Sequence, residues 1–298
     1  MNPLVKIVPG AGLNDSLLAR CMYFSQRFVT SPFLRQHVAN LIARRIRARH
    51  PDTPLHAASA ASHGLQEDGY ADLGRLLSSA QCADIHAFLQ GKSLSDRYGA
   101  PASFTMETRP GGTRIAEYGL FDIVNCPHLL ALANSAHLIG LAEQYLQCKP
   151  TISSLMLRWS FPADAPVGNV QRFHRDSDDW RHLKVMVYLT DVGAADGPHV
   201  YVRGTHREAA PLRIQVETDE AIHRRYGKEA AKVVTGAEGS GFVVDTAGIH
   251  KGEPPRARPR LMLQIQYSLL PAFANRYQPQ PYGGALAFDP YVNRLLVA

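Results

Sequence analysis

In the segment QRFHRDSDDW, His174 and Asp176 stand two residues apart, so an extended backbone would point both side chains to one face. A neutral imidazole and a carboxylate converging on one point make two thirds of the facial triad that holds non-haem iron(II). Alone, the tripeptide is a weak signal, because a surface histidine beside an aspartate accounts for it equally well. A third donor comes from GFVVDTAGIHKGEPPRARPRLMLQIQY, which sets His250 just after an apolar strand and a turn. Ten residues later Arg260 opens another alternating strand. A guanidinium suits bidentate recognition of a carboxylate. A co-substrate that chelates the metal at one end and carries a carboxylate at the other needs such a partner, and the intervening turn could set Arg260 deeper in the same cavity.

Other residues near these segments have two readings each. Lys184, Met186 and Tyr188 share one face of the strand LKVMVYL. If that face points inward, Lys184 needs an anionic partner, either co-substrate or substrate; if outward, it is a solvated lysine. Gln171, three residues before His174, could donate to a keto acid or pair with backbone. Asp178, Asp179 and Trp180 follow the metal strand in a loop expected at the cavity mouth, where they would contact substrate or form an ordinary solvated turn.

These groups must be positioned by regular elements. Before residue 150 the pattern is largely helical. Phe33, Leu34, Val38, Leu41, Ile42 and Ile46 recur at spacings of three and four, which predicts one amphipathic helix within 15–49. The stretch 50–63, HPDTPLHAASAASH, reads as a linker. A short strand around Tyr70–Leu73 leads to a helix with Ser79 as N-cap and Cys82, Ile85 and Leu89 on one face. Another helix is expected over 127–147, started by Pro127. After Pro150 come short apolar runs punctuated by turn residues: TISSLMLRWS, NVQRFH, LKVMVYLTDV, PHVYV, GFVVDTA and LMLQIQYSLL. Such spacing suggests a sandwich or jelly roll rather than alternating βαβ units. The tail 271–298 carries a short helix at Pro290–Val297 that would cover the barrel or meet a second subunit.

Composition sets the frame. The chain has 298 residues, 45% hydrophobic and 19% charged, enough to bury a sizeable core. There is no apolar run long enough for a membrane-spanning helix, and the N-terminus lacks the pattern of a secretory signal. The scattered Cys21, Cys82, Cys126 and Cys148 form no CxxC pair and suit reduced thiols in a cytoplasm. The net charge of +6 is concentrated: the first 50 residues hold eight basic residues against Asp15, and the rest of the chain is close to neutral. No aromatics interleave with that basic run, so nucleic acid is not an expected partner. A basic amphipathic helix suits peripheral contact with an anionic inner-membrane surface, or packing on the body or on a second copy in a homo-oligomer. The division expected is 1–60 as a basic helical extension and 61–298 as the main domain.

Taken together, the chain resembles the phytanoyl-CoA dioxygenase family of Fe(II)/2-oxoglutarate oxygenases over roughly 64–270. The resemblance rests on EDGYADLGRLLSSAQ, the metal strand FHRD, the segment YLTDVGAADGPHVYVRGTHR and the run from His250 to Arg260. It implies a mainly β double-stranded β-helix, a cupin-like jelly roll, with helices packed on one sheet. It also implies His174, Asp176 and His250 as iron ligands and catalytic centre, Arg260 as anchor for the distal carboxylate of 2-oxoglutarate, and Thr205 and His206 as architectural. Iron(II), 2-oxoglutarate and O2 would then serve hydroxylation of an unactivated C–H in a small-molecule or lipid-linked substrate, with release of succinate and CO2. Related halogenases have a small residue where Asp176 stands, so the chain resembles hydroxylases rather than halogenases. Two rivals are a catalytically silent jelly-roll binding module and a keto-acid-independent cupin metalloenzyme; the intact donor set and Arg260 speak against both.

Overall fold

The computed structural model describes residues 17–54, 59–99, 102–164, 168–209, 215–273 and 275–298. Its helices are α1 (Leu17–Phe28), α2 (Pro32–Arg49), α3 (Ala60–Glu67), α4 (Ser79–Leu89), α5 (Leu120–Asn125), α6 (Leu129–Ala133), α7 (Ala136–Leu146), α8 (Asp219–Tyr226) and α9 (Pro290–Asn293). Its strands are β1 (Tyr70–Arg75), β2 (Leu94–Asp96), β3 (Ser103–Phe104), β4 (Ile115–Tyr118), β5 (Thr151–Ser160), β6 (His182–Tyr188), β7 (His199–Val202), β8 (Ala231–Val234), β9 (Ser240–Val244), β10 (His250–Gly252) and β11 (Arg260–Ser268). They form two antiparallel sheets, an eight-stranded one in the order β1-β9-β6-β11-β5-β4-β2-β3 and a three-stranded one in the order β10-β7-β8. The fold is a jelly roll of the cupin-like, double-stranded β-helix kind with helices against the larger sheet.

Period-two alternation sorts the three central strands into an apolar and a polar face. Leu183, Val185 and Val187 of β6, Leu261, Leu263, Ile265 and Tyr267 of β11, and Leu155 and Leu157 of β5 join the main core with Ile85, Leu138, Leu141 and Leu146 of the helices. Their alternate neighbours, Lys184 and Met186, Arg260, Met262 and Gln264, and Ser154, Met156 and Arg158, line a cavity on the opposite face. The smaller sheet and the segment 173–174 close that cavity: Phe173 bridges Glu217, and His174 bridges His250. The sheet is therefore buried on both faces; the cavity face is mixed, with Met186, Tyr188, Phe242 and Met262 in a smaller apolar cluster beside its polar residues.

Several expectations need correction. The helix expected within 15–49 is two helices, because Pro32 at the first position of α2 holds Ser31 extended (φ −66°, ψ 121°). Its buried face is Ala39, Ala43 and Ile46, while Phe33, Leu34 and Leu41 are 68%, 54% and 59% exposed. Small side chains let α2 lie close to the body, so the larger apolar residues face outward. The expected linker 50–63 already contains the start of α3, capped by Ser59 through a reciprocal box with Ser62; residues 55–58 lie outside the described residues, as does the N-terminal stretch 1–16. Ser78 rather than Ser79 caps α4, again through a box, with Gln81. The helix expected over 127–147 is α6 and α7, separated where Ser135 caps the second. NVQRFH is not a regular strand but a 3-10 turn at Asn169–Gln171 followed by the two bridges.

Candidate metal centre

His174 and Asp176 are held by the backbone of the segment that carries the third donor. The His174 and His250 main chains exchange two hydrogen bonds of 2.9 Å, and the Asp176 N–H donates to the Thr246 carbonyl at 2.8 Å. Thr205 steadies the same turn: its hydroxyl donates to the Val202 carbonyl at 2.7 Å and accepts from the Ile249 N–H at 2.8 Å. One imidazole or carboxylate atom from each of His174, Asp176 and His250 lies within 4.8 Å of the others. Each Nε2 stands 3.6 Å from an Asp176 oxygen.

The outer nitrogens fix the tautomers. His174 Nδ1 meets the Arg172 carbonyl at 2.8 Å and His250 Nδ1 meets the Gly248 carbonyl at 3.0 Å. A carbonyl only accepts, so both Nδ1 atoms carry hydrogen and both Nε2 lone pairs face the carboxylate, the orientation a metal ligand requires. Burial, aided by the nearby His174, pushes His250 down to about 3 and keeps it neutral. His174 is shifted the other way: burial opposes its charge, but the Asp176 carboxylate outweighs that and raises it. Asp176 is half-buried, and although burial opposes its charge, the Lys184 ammonium beside it holds it well below the usual carboxylate range.

Lys184 faces inward, which decides between its two readings, and its partners are not those expected. Its ammonium donates to Asp176 at 2.6 Å and lies 3.1 Å from Asp178. The anions that balance it come from the protein rather than from a co-substrate alone. Met186 and Gln171 line the same cavity of about 280 Å³ with His174, Asp176, His250 and Arg260.

Arg260 is 4% exposed and lines this cavity. Its two terminal nitrogens donate to the Gly197 carbonyl and, at 3.1 Å, to the Ser160 hydroxyl. Its Nε has no partner, and among the described residues no carboxylate reaches it within ion-pair distance. A buried guanidinium without an anion is costly unless one arrives. Nearby, Arg158 and Arg97 share the single carboxylate of Glu117, at 2.8 and 2.6 Å, so this end of the cavity carries excess positive charge. The donor set fits a divalent metal, and the orphaned guanidinium fits a dicarboxylate beside it.

Two residues expected at the mouth of the metal cavity do not border it. Asp179 is 1% exposed and turns inward, accepting from the Leu270 and Trp180 N–H groups at 2.9 and 2.8 Å. Burial raises it to about 7. Trp180 lines a different cavity, beneath the Arg35 guanidinium at 5.5 Å. Only Asp178 of the three borders the metal cavity. His199 was missed by the sequence reading. Its ring stacks on His250 at 5.5 Å and 23°, its Nε2 has no partner among the described residues, and burial pushes it well below the ordinary histidine range. The signal was present in PHVYV, where His199 and Tyr201 share the inward face.

Residues 65–259 match the family described as Phytanoyl-CoA dioxygenase (PhyH). No curated protein matches the chain. Solved structures of similar fold include the epimerase SnoN in complex with Fe3+, alpha ketoglutarate and nogalamycin RO, with TM-score 0.52 and 16% identity over 70% of this chain and 81% of that one. EctD from S. alaskensis with bound Fe aligns with TM-score 0.51 and 18% identity over 81% and 87%. HygX from Streptomyces hygroscopicus with nickel, 2-oxoglutarate and hygromycin B aligns with TM-score 0.50 and 16% identity over 77% and 93%.

Proposed function

The chain belongs to the phytanoyl-CoA dioxygenase family, and on that premise we propose that it is an Fe(II)- and 2-oxoglutarate-dependent dioxygenase that hydroxylates a C–H bond of a small molecule. The observation that carries this reading is the pairing of two oriented Nε2 atoms and a carboxylate with an uncompensated Arg260 in one cavity. Proteins of the same fold hold iron or nickel with 2-oxoglutarate, which supports the assignment of cofactors.

In this reading His174, Asp176 and His250 would hold iron(II), a donor set of the two-histidine, one-carboxylate kind. The chemistry supplied there is oxidation of a C–H bond coupled to decarboxylation of 2-oxoglutarate to succinate and CO2. The protein orients and shields. Arg260 takes the distal carboxylate of the keto acid, with Ser160 and the Gly197 carbonyl fixing the guanidinium plane. Lys184 keeps Asp176 ionised and turned toward the two histidines. Met186, Met262 and Met156 supply apolar wall against water. Asp176 fills the third protein position, which favours hydroxylation over halogenation. Succinate release from 2-oxoglutarate by the purified protein with ferrous iron tests the reading. It should require iron and vanish in His174→Ala; succinate formed equally by that variant would refute it.

A further inference from the structure

A second cavity, of about 200 Å³, shares His174 and Asp176 with the first but not Arg260 or Lys184, and its outer wall comes from α1 and α2. Gln26, Arg27 and Arg35 form that wall. All three precede residue 65, where the family match begins, so the match does not cover this wall. Gln26 is fully buried, and neither its Nε2 nor its Oε1 has a partner among the described residues. Its backbone is pinned, since Arg35 donates to the Gln26 carbonyl at 2.5 Å and to the Asp179 carbonyl at 3.0 Å. A buried carboxamide with both ends open destabilises the free protein and is rare in native structures. Its natural explanation is a ligand group that both donates and accepts.

Charge narrows the class. Among the described residues neither Arg27 nor Arg35 has a carboxylate within ion-pair distance, whereas Arg175 in the same cavity is already taken by Glu208 and two carbonyls. Besides Asp176, one further acid, Glu217, lines the cavity and can accept a hydrogen bond from a hydroxyl. We propose that α1 and α2 form the substrate-recognising wall, with the Gln26 carboxamide and the Arg27 and Arg35 cations selecting a small hydroxylated substrate that bears a carboxylate or phosphate. The inference rests on the metal-centre reading above, because it seats that substrate beside His174 and Asp176.

The test uses the full chain loaded with nickel(II) and 2-oxoglutarate, titrated calorimetrically with D-glycerate, sn-glycerol 3-phosphate and glycerol. At least one anion should bind at least tenfold more tightly than glycerol, and the tighter of the two identifies the carboxylate or phosphate class. Gln26→Met should weaken that anion at least tenfold while melting at or above the wild-type temperature, a combination that a structural glutamine would not give. Arg27→Gln should weaken it about fivefold. Glycerol binding as tightly as the anions, no anion binding, or unchanged affinity in Gln26→Met would each overturn the proposal. Uptake of nickel and 2-oxoglutarate by wild type is measured first. Failure there overturns the metal-centre reading and this inference with it, whereas normal uptake with unchanged anion affinity in Gln26→Met overturns this inference alone.

Discussion

At the residue scale, the centre depends on where charges are balanced. Among the described residues Arg260 has no carboxylate partner, so its loss should be felt mainly when 2-oxoglutarate binds. Charge-assisted hydrogen bonds are worth about 1.5–3 kcal/mol, so Arg260→Ala should raise the KM for 2-oxoglutarate about 10- to 100-fold with iron saturating. Arg260→Lys should recover only part, since an ammonium lacks the planar fork; full recovery would show that charge alone suffices. The convergence of His174, Asp176, His250 and Arg260 on one cavity was legible because residue type and spacing both carried information. Asp179 was not, because the direction of its carboxylate is set by the Leu270 N–H, distant in sequence. His199 was hidden for another reason: a histidine in an apolar strand reads as core until its empty Nε2 is seen.

At the element scale, small structural choices hold the larger ones. Gly197 has φ +73°, and a Cβ there would lie 2.6 Å from the Glu253 carbonyl oxygen. Its own carbonyl receives Arg260. Gly197→Ala should therefore destabilise by more than about 1 kcal/mol and also raise the 2-oxoglutarate KM; denaturant melts and kinetics together check both halves. On α2, Leu41→Ser should change stability by no more than about 0.5 kcal/mol, whereas Ala39→Leu should cost about 1–3 kcal/mol by overpacking. The reverse ranking would mean that the sequence stripe, not the observed face, is buried. The strands β5 and β11 were legible to within two residues, and β6 and β9 to within four, because alternation and turn residues bound them. The face of α2 was not: Ala39 and Ala43 give little hydropathy signal, yet their small size is what permits close packing.

At the scale of the whole molecule, the fold class followed from many short strands after Pro150, but their order across two sheets did not, since pairing depends on contacts far apart in sequence. Acid should expose one tie between the sheets' connections. Asp196 is held at about 2 by Arg258 and the Gly193 N–H. Its folded value lies below that of an unfolded aspartate, so its contribution is complete above about pH 4 and is lost as pH falls toward 2. The stability gap between wild type and Asp196→Asn should close over that window, and a gap independent of pH would contradict the assignment. The most direct test of the central claim is anaerobic titration with iron(II) and 2-oxoglutarate, following the visible charge-transfer band of the chelate. Wild type should develop the band, His250→Ala should lose it, and Arg260→Ala should need far more keto acid to reach it. Iron bound by wild type with no band at any 2-oxoglutarate concentration would contradict the account.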